Sequence, residues 1–150
     1  MTLYTLHDMP KSGALLGIDP GKKTLGLAIC DVTQLIASPH SVIKRTTLKA
    51  DLASVFKLYS ERNCTGMIIG LPLNMQGDEG PSAQSARALA RNILKFCDIP
   101  IAFQDERLTS AQAERAMLEG DLSRRRRADL IDAAAASVIL QTAIDRLANS

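Results

Sequence analysis

The spacing of hydrophobic and polar positions changes along the chain, and each change predicts an element. Ala14 to Ile18 is a short apolar run ending in Asp19-Pro20-Gly21, which reads as a strand followed by a turn. Thr24 to Cys30 regains apolar character after a few residues, as the partner strand of a hairpin would. Ile36 to Ile43 is a weaker third strand. Pro39 within it marks an edge or irregular position, because proline cannot donate to a sheet ladder. The period then becomes helical: Leu48, Leu52, Val55, Phe56 and Tyr59 form one stripe, with Lys49, Asp51 and Lys57 expected on the surface. Gly66 to Gly70 predicts a short buried strand, left through a loop that carries Leu71 to Asn74 and passes Gly77 and Gly80. Ser82 to Phe96 predicts a second helix with Ala86, Leu89, Ala90, Ile93 and Leu94 inward, and Pro100 to Gln104 another strand. Thr109 and Gln112 can form a capping box for a third helix that runs to Glu119 and stops at Gly120. Asp121 to Arg127 reads as a polar, basic connector. Asp129 to Leu147 reads as the last helix, and its stretch Ala133 to Leu140 has almost no polar face, which predicts burial against a sheet.

Strands that alternate with helices imply a parallel portion covered by helices, and the closely spaced first strands imply antiparallel hairpins. The expected architecture is α/β: a mixed five-stranded sheet flanked by helices. The 150 residues suit one domain with one real core, at about residues 14–147. Aromatic residues are 3% of the chain and Trp is absent, so that core must rest on Leu, Ile, Val and Ala. No apolar run reaches the roughly 18 residues of a membrane span, so no membrane partner is expected. Met1 to Lys11 lacks a basic region followed by an apolar run and reads as a short extension, not a secretory signal.

Cys30, Cys64 and Cys97 are scattered and include no CxxC pair, and His7 and His40 are far from all three in sequence. This argues against structural zinc and for free thiols in a reducing compartment. The net charge of +2 is too small to identify a nucleic-acid partner. Its distribution is more telling: Arg124, Arg125, Arg126 and Arg127 are consecutive, and Lys11, Lys22 and Lys23 flank the first strand and turn. Such clusters suit phosphate contacts as well as a solvated loop or helix start.

Three acidic positions border apolar elements: Asp19 ends the first strand, Asp105-Glu106 ends the last, and Asp132 enters the most apolar helix. A carboxylate at such a border can be solvated, capped, paired with arginine or holding a metal. Strand ends of a parallel layer gather at one sheet edge, where carboxylates repel each other unless a cation neutralises them. All-oxygen donors favour Mg²⁺ or Mn²⁺ over zinc, and two such ions can support phosphodiester cleavage. Asp105 and Glu106 compete for the middle position, since neighbours in a strand face opposite ways. Asp129 is one turn before Asp132, on roughly the same helix face, and reads as an auxiliary ligand or, the preferred reading, as a favourable charge in the first helical turn. Gly17 to Gly26 could form a tight turn that admits a phosphate, or an ordinary hairpin. It has neither Walker nor GxGxxG spacing. Asn74 could serve a site or simply a turn.

The ordered segments LLGIDPGKKTLGLAICD, GMIIGLPLNMQG, FQDERLTSAQAE and LIDAAAASVILQ resemble the YqgF/RuvX family, the Holliday-junction-resolvase-like pre-16S rRNA nucleases. The resemblance implies a ribonuclease-H-like fold and a cytoplasmic bacterial protein that processes the 5′ end of pre-16S rRNA. It places the family's acids on Asp19, Glu106 and Asp132, with Asp105 as the reserve for the middle role. These three would be both catalytic and metal-binding, holding one or two Mg²⁺ (or Mn²⁺) ions for hydrolysis of RNA to 5′-phosphate and 3′-hydroxyl ends. Lys22, Asn74, Arg107 and the run Arg124 to Arg127 are the implied nucleic-acid contacts. The expected partner is precursor rRNA or a pre-ribosomal particle, met by a monomer or weak homodimer. Two alternatives stay open: a Holliday junction resolvase cutting branched DNA, and a non-catalytic RNA-binding assembly factor.

Overall fold

A computed structural model describes residues 6–73, 77–105 and 124–148, and describes His7 and residues 124–132 by backbone alone. The elements are β1 (Leu15–Pro20), β2 (Thr24–Cys30), β3 (Ala37–Lys44), α1 (Leu48–Glu61), β4 (Gly66–Leu71), α2 (Pro81–Phe96), β5 (Ile101–Asp105) and α3 (Arg124–Ala148). A short 3-10 turn, Leu6–Asp8, precedes β1.

The five strands form one sheet in the order β3-β2-β1-β4-β5. β1, β2 and β3 pair antiparallel, whereas β1 with β4 and β4 with β5 pair parallel. Side chains alternate across the sheet and so feed two cores. Leu16, Ile18, Leu25, Leu27, Met67, Ile69 and Ile101 pack with Leu52, Val55 and Leu58 of α1 and with Ala86, Leu89, Ala90 and Ile93 of α2. Leu15, Ala28, Cys30, Ile68 and Ala102 face the other way, against Ala136, Ile139, Leu140, Ala143, Ile144 and Leu147 of α3. The sheet is therefore sandwiched between α1 and α2 on one face and α3 on the other.

The expected mixed sheet is present, and the element boundaries move by at most two residues except at α3. Pro39 lies where both of its readings apply: β3 is an edge strand, and its register with β2 shifts between Leu27 and Ala28. Two expectations are corrected. Arg124 to Arg127 belong to the first turn of α3 and not to a connector. Arginine is a good helix former, and its charge disguises the helical period without opposing it. Asp51, expected on the surface, is buried. It accepts the Thr46 N–H at 3.1 Å, beside Thr47, whose hydroxyl caps α1 by accepting the Ala50 N–H at 3.2 Å. The third predicted helix, Thr109 to Glu119, lies outside the described residues.

Candidate functional site

The parallel strands β1, β4 and β5 all end at one edge of the sheet. Asp19 is the penultimate residue of β1, half-buried and opposite Gly26 of β2. Through the pairs Ile18–Ile69 and Ile69–Phe103, its level along the sheet is that of Gly70 and Gln104. Its face follows from its neighbours in the strand. Leu15 belongs to the α3 core, and a Cβ built on Gly17 would stand 2.9 Å from Leu140 Cβ and 3.3 Å from the Ala136 carbonyl oxygen. Asp19 is thus on the α3 face. Gly17 is needed there because α3 crosses β1 too closely for any side chain.

The same alternation resolves the Asp105–Glu106 ambiguity in part. Ile101 and Phe103 of β5 pack toward α1 and α2, whereas Ala102 lies in the α3 core. Gln104 is buried, and its Oε1 accepts from Arg146 Nη1 of α3 at 3.1 Å. Asp105 therefore occupies the face opposite Asp19, which argues against it as Asp19's partner. Glu106, Arg107 and Asn74 lie outside the described residues. Asp132 is in α3, one turn before Ala136, while Asp19 is two residues beyond Gly17, the point at which α3 and β1 touch. Among the described residues, no three His, Cys, Asp or Glu side chains gather closely enough to hold a metal ion.

Beside Asp19, the β1–β2 turn is tightly closed. The Gly21 N–H donates to the Thr24 carbonyl at 2.8 Å, and Arg45 holds the turn from just after β3. Arg45 donates its backbone N–H to the Lys23 carbonyl at 2.8 Å and its Nη1 to the Gly21 carbonyl at 2.7 Å. Its Nε is 4.0 Å from the buried Asp51 carboxylate. An open cleft of about 370 Å³ adjoins the turn, lined by Pro20, Gly21, Lys22, Arg45, Pro72 and, from the start of α2, Pro81, Ser82 and Ser85. The structure thus puts the expected contact Lys22 in a cleft and adds Arg45, which the sequence reading missed. A basic residue following the third strand was the available signal, but only the β2–β3 register brings it back to the first turn. Farther along the loop after β4, Leu73 bridges to Glu79, and Glu79 is bound by Arg87 through contacts of 2.5 and 2.8 Å. Hydrogen bonding to Arg87 holds the Glu79 carboxyl below its ordinary range.

Comparison with known proteins agrees with this architecture. A family model for RuvX, described as Holliday junction resolvase, matches residues 13–146. The chain is 53% identical over 141 residues to a Rhodobacter capsulatus protein named "Putative pre-16S rRNA nuclease", covering 94% of this chain and 89% of that one. A Paracoccus denitrificans protein of the same name is 51% identical over 139 residues, covering 93% and 88%. Among solved structures, T. thermophilus RuvC in complex with a Holliday junction substrate superposes with a TM-score of 0.58 at 18% identity, covering 92% of this chain and 97% of that one. Fowlpox virus resolvase with Holliday junction DNA gives 0.55 at 14% identity, covering 89% and 98%. These distant likenesses establish the fold, which is that of the ribonuclease-H-like resolvases.

Proposed function

The chain belongs to the RuvX family, and from that premise we propose that it is a divalent-metal-dependent endonuclease that cuts RNA in maturing the 5′ end of pre-16S rRNA. The family and its named relatives make it a hydrolase of phosphodiester bonds. The observation that carries the reading is the position of Asp19: a carboxylate at the C-terminal end of a central parallel strand, on the face that α3 covers through Gly17.

Asp19 is the one member of the proposed ligand set whose side chain is described, and its chemistry fits a hard cation. Its strand is hydrogen-bonded on both sides, by β2 and β4, so the carboxylate is carried on a rigid element. We assign Glu106 and Asp132 as its partners. Glu106 follows Asp105, whose own face is opposite that of Asp19, and Asp132 is one turn before the helix–strand contact. Such a set would hold Mg²⁺ or Mn²⁺, which would supply activation of water and stabilisation of the leaving oxygen. Lys22, Asn74, Arg107 and Arg124 to Arg127 serve the nucleic-acid backbone in this reading.

The test compares wild type and Asp19→Asn on a defined pre-16S rRNA fragment and on four-way DNA junctions, with Mg²⁺, Mn²⁺ or chelator. The expected result is metal-dependent cleavage of the RNA, lowered at least about a hundredfold in the variant, as for loss of one group that stabilises a transition-state charge. Undiminished cleavage by Asp19→Asn overturns the site. Preferential cutting of the junction overturns the RNA substrate while keeping the chemistry.

A further inference from the structure

Among the cations around the β1–β2 turn, Arg45 is held in an arrangement to which the nuclease reading gives no role. Lys22 and Lys23 occupy the turn, Lys44 ends β3 opposite Thr24, and Arg45 follows it directly beside the turn. Three of the four are exposed, but Arg45 is fixed in place. Its Nη1 is bound to the Gly21 carbonyl, and its Nε faces the buried Asp51. Those contacts engage Nη1 and Nε and orient the guanidinium, while Arg45 and Lys22 both line the 370 Å³ cleft. Ser82 and Ser85, both exposed, also line it, and among the described residues no carboxylate does. A pre-oriented guanidinium and a free-standing ammonium together with two hydroxyls form a recognition surface for phosphate oxygens.

We propose that this cleft is a phosphate clamp, in which Arg45 and Lys22 hold the backbone of the substrate strand as it crosses the end of the sheet beside Asp19. Pro20 and Gly21 connect the two places directly: Asp19 lies on the α3 face of the edge, and the clamp opens on the α1/α2 face one residue later. A strand crossing that edge would set one phosphate at Asp19 and a flanking phosphate between Arg45 and Ser82. Asp51 is a positioning residue that keeps the Arg45 fork turned toward the cleft. The proposal rests on the nuclease reading for the identity of its strand but makes a separate claim about binding.

The experiment measures fluorescence anisotropy of a short labelled single-stranded RNA against the full chain over a range of KCl, with chelator present so that cleavage cannot intervene. Arg45→Ala should raise Kd about tenfold and reduce the salt slope by about one, the signature of one lost phosphate contact. Arg45→Lys should restore the slope but not the full affinity, because an ammonium lacks the fork. Lys57→Ala, an exposed charge three turns along α1, should change neither. Because Arg45 also braces Gly21, Ser82→Asp is the independent variant. It leaves the brace intact, and its charge suits the first turn of α2, so the helix stays folded while phosphate is repelled. Natively folded Arg45→Ala and Ser82→Asp with wild-type Kd and slope overturn the clamp. Absent cleavage with Arg45-dependent binding intact would count against the nuclease reading alone and support the clamp. Cleavage with Arg45-independent binding would do the reverse.

Discussion

The two faces of the sheet are built differently, and the difference bears on the metal site proposed at Asp19. The face toward α1 and α2 is packed with bulk: Leu16, Ile18, Leu25, Leu27, Met67, Ile69 and Ile101 meet the apolar sides of two helices. The face toward α3 is packed by closeness. Gly17 lies directly against Leu140 and the Ala136 carbonyl, and Ala28 and Ala102 share a cluster with Ala136 and Ala143, beside the larger Leu15, Ile68, Ile139, Ile144 and Leu147. At Gly17 the helix meets the strand with no side chain between them to give way, so any added atom must displace one against the other. The close-packed face is the one that carries Asp19. A helix held close to β1 is what a site shared between the two elements requires.

This contrast can be broken from either side. The largest expected effect belongs to the bulk face. Ile69→Ala should cost about 2–5 kcal/mol of stability by leaving a cavity. The remaining folded protein should nonetheless cut at its normal rate, because α1 and α2 present no proposed metal ligand and Ile69 lies away from the clamp residues of α2. Denaturant unfolding paired with activity per folded molecule measures both. A second variant tests the close face. Gly17→Ala should cost about 1–3 kcal/mol through overpacking. The new Cβ at 2.9 Å from Leu140 can be accommodated only if α3 moves off β1. Activity per folded molecule should then fall by about tenfold or more, since displacements near 1 Å are costly to catalysis. If Gly17→Ala loses stability alone, or Ile69→Ala loses activity as well, the division of labour between the faces is wrong.

Smaller still is the effect of the polar tie that the close face uses. Gln141 of α3 accepts the Ala37 N–H at 2.8 Å and donates to the Leu35 carbonyl at 3.0 Å, pinning the helix to the β2–β3 turn. Gln141→Ala should cost about 1 kcal/mol, the usual net worth of such a bond. Thermal unfolding would show it as a modest fall in Tm.

The bulk face was also the more legible one in the sequence. Its strands are continuous apolar runs, and α2 shows its helical stripe at Ala86, Leu89, Ala90 and Ile93, so both period and burial could be read. The close face was half legible. The apolar stretch Ala133 to Leu140 announced a helix buried on a sheet, but the arginines before it hid where the helix begins. Asp19 stood out as a strand-end acid, yet its face could be known only once Gly17 was seen against Leu140. Asp105 and Glu106 were indistinguishable by type. What separated Asp105 from Asp19 was strand parity, which needs the packing of Phe103 and Gln104. Arg45 was not legible, because its partner Gly21 is 24 residues away and joined to it only through the sheet register. Local period and residue type are encoded along the chain, but convergence is a property of pairing.

The smallest effects should appear in the three cysteines, which report on the faces separately. Cys30 is buried in the α3 core, where its Sγ accepts the Leu15 N–H at 3.2 Å. Cys64 is half-buried against the α1/α2 core, and Cys97 is exposed at the end of α2. Burial pushes the Cys64 thiol from 9.0 up to about 11, and burial raises Cys30 as well. Only the thiolate attacks a labelling reagent. Native protein should therefore label at Cys97 first, Cys64 second and Cys30 last. The Cys64 rate should climb about tenfold per pH unit beyond neutrality and level off only near pH 11. The sign for stability follows: the fold prefers the protonated thiol, so that preference is whole below pH 9.0 and is lost as pH rises toward 11. Gln141→Ala should speed Cys30 labelling and leave Cys64 unchanged, because it loosens α3 alone. Equal acceleration at both thiols would show that the sheet opens as one unit. The close face would then have no independent mobility for the site to depend on.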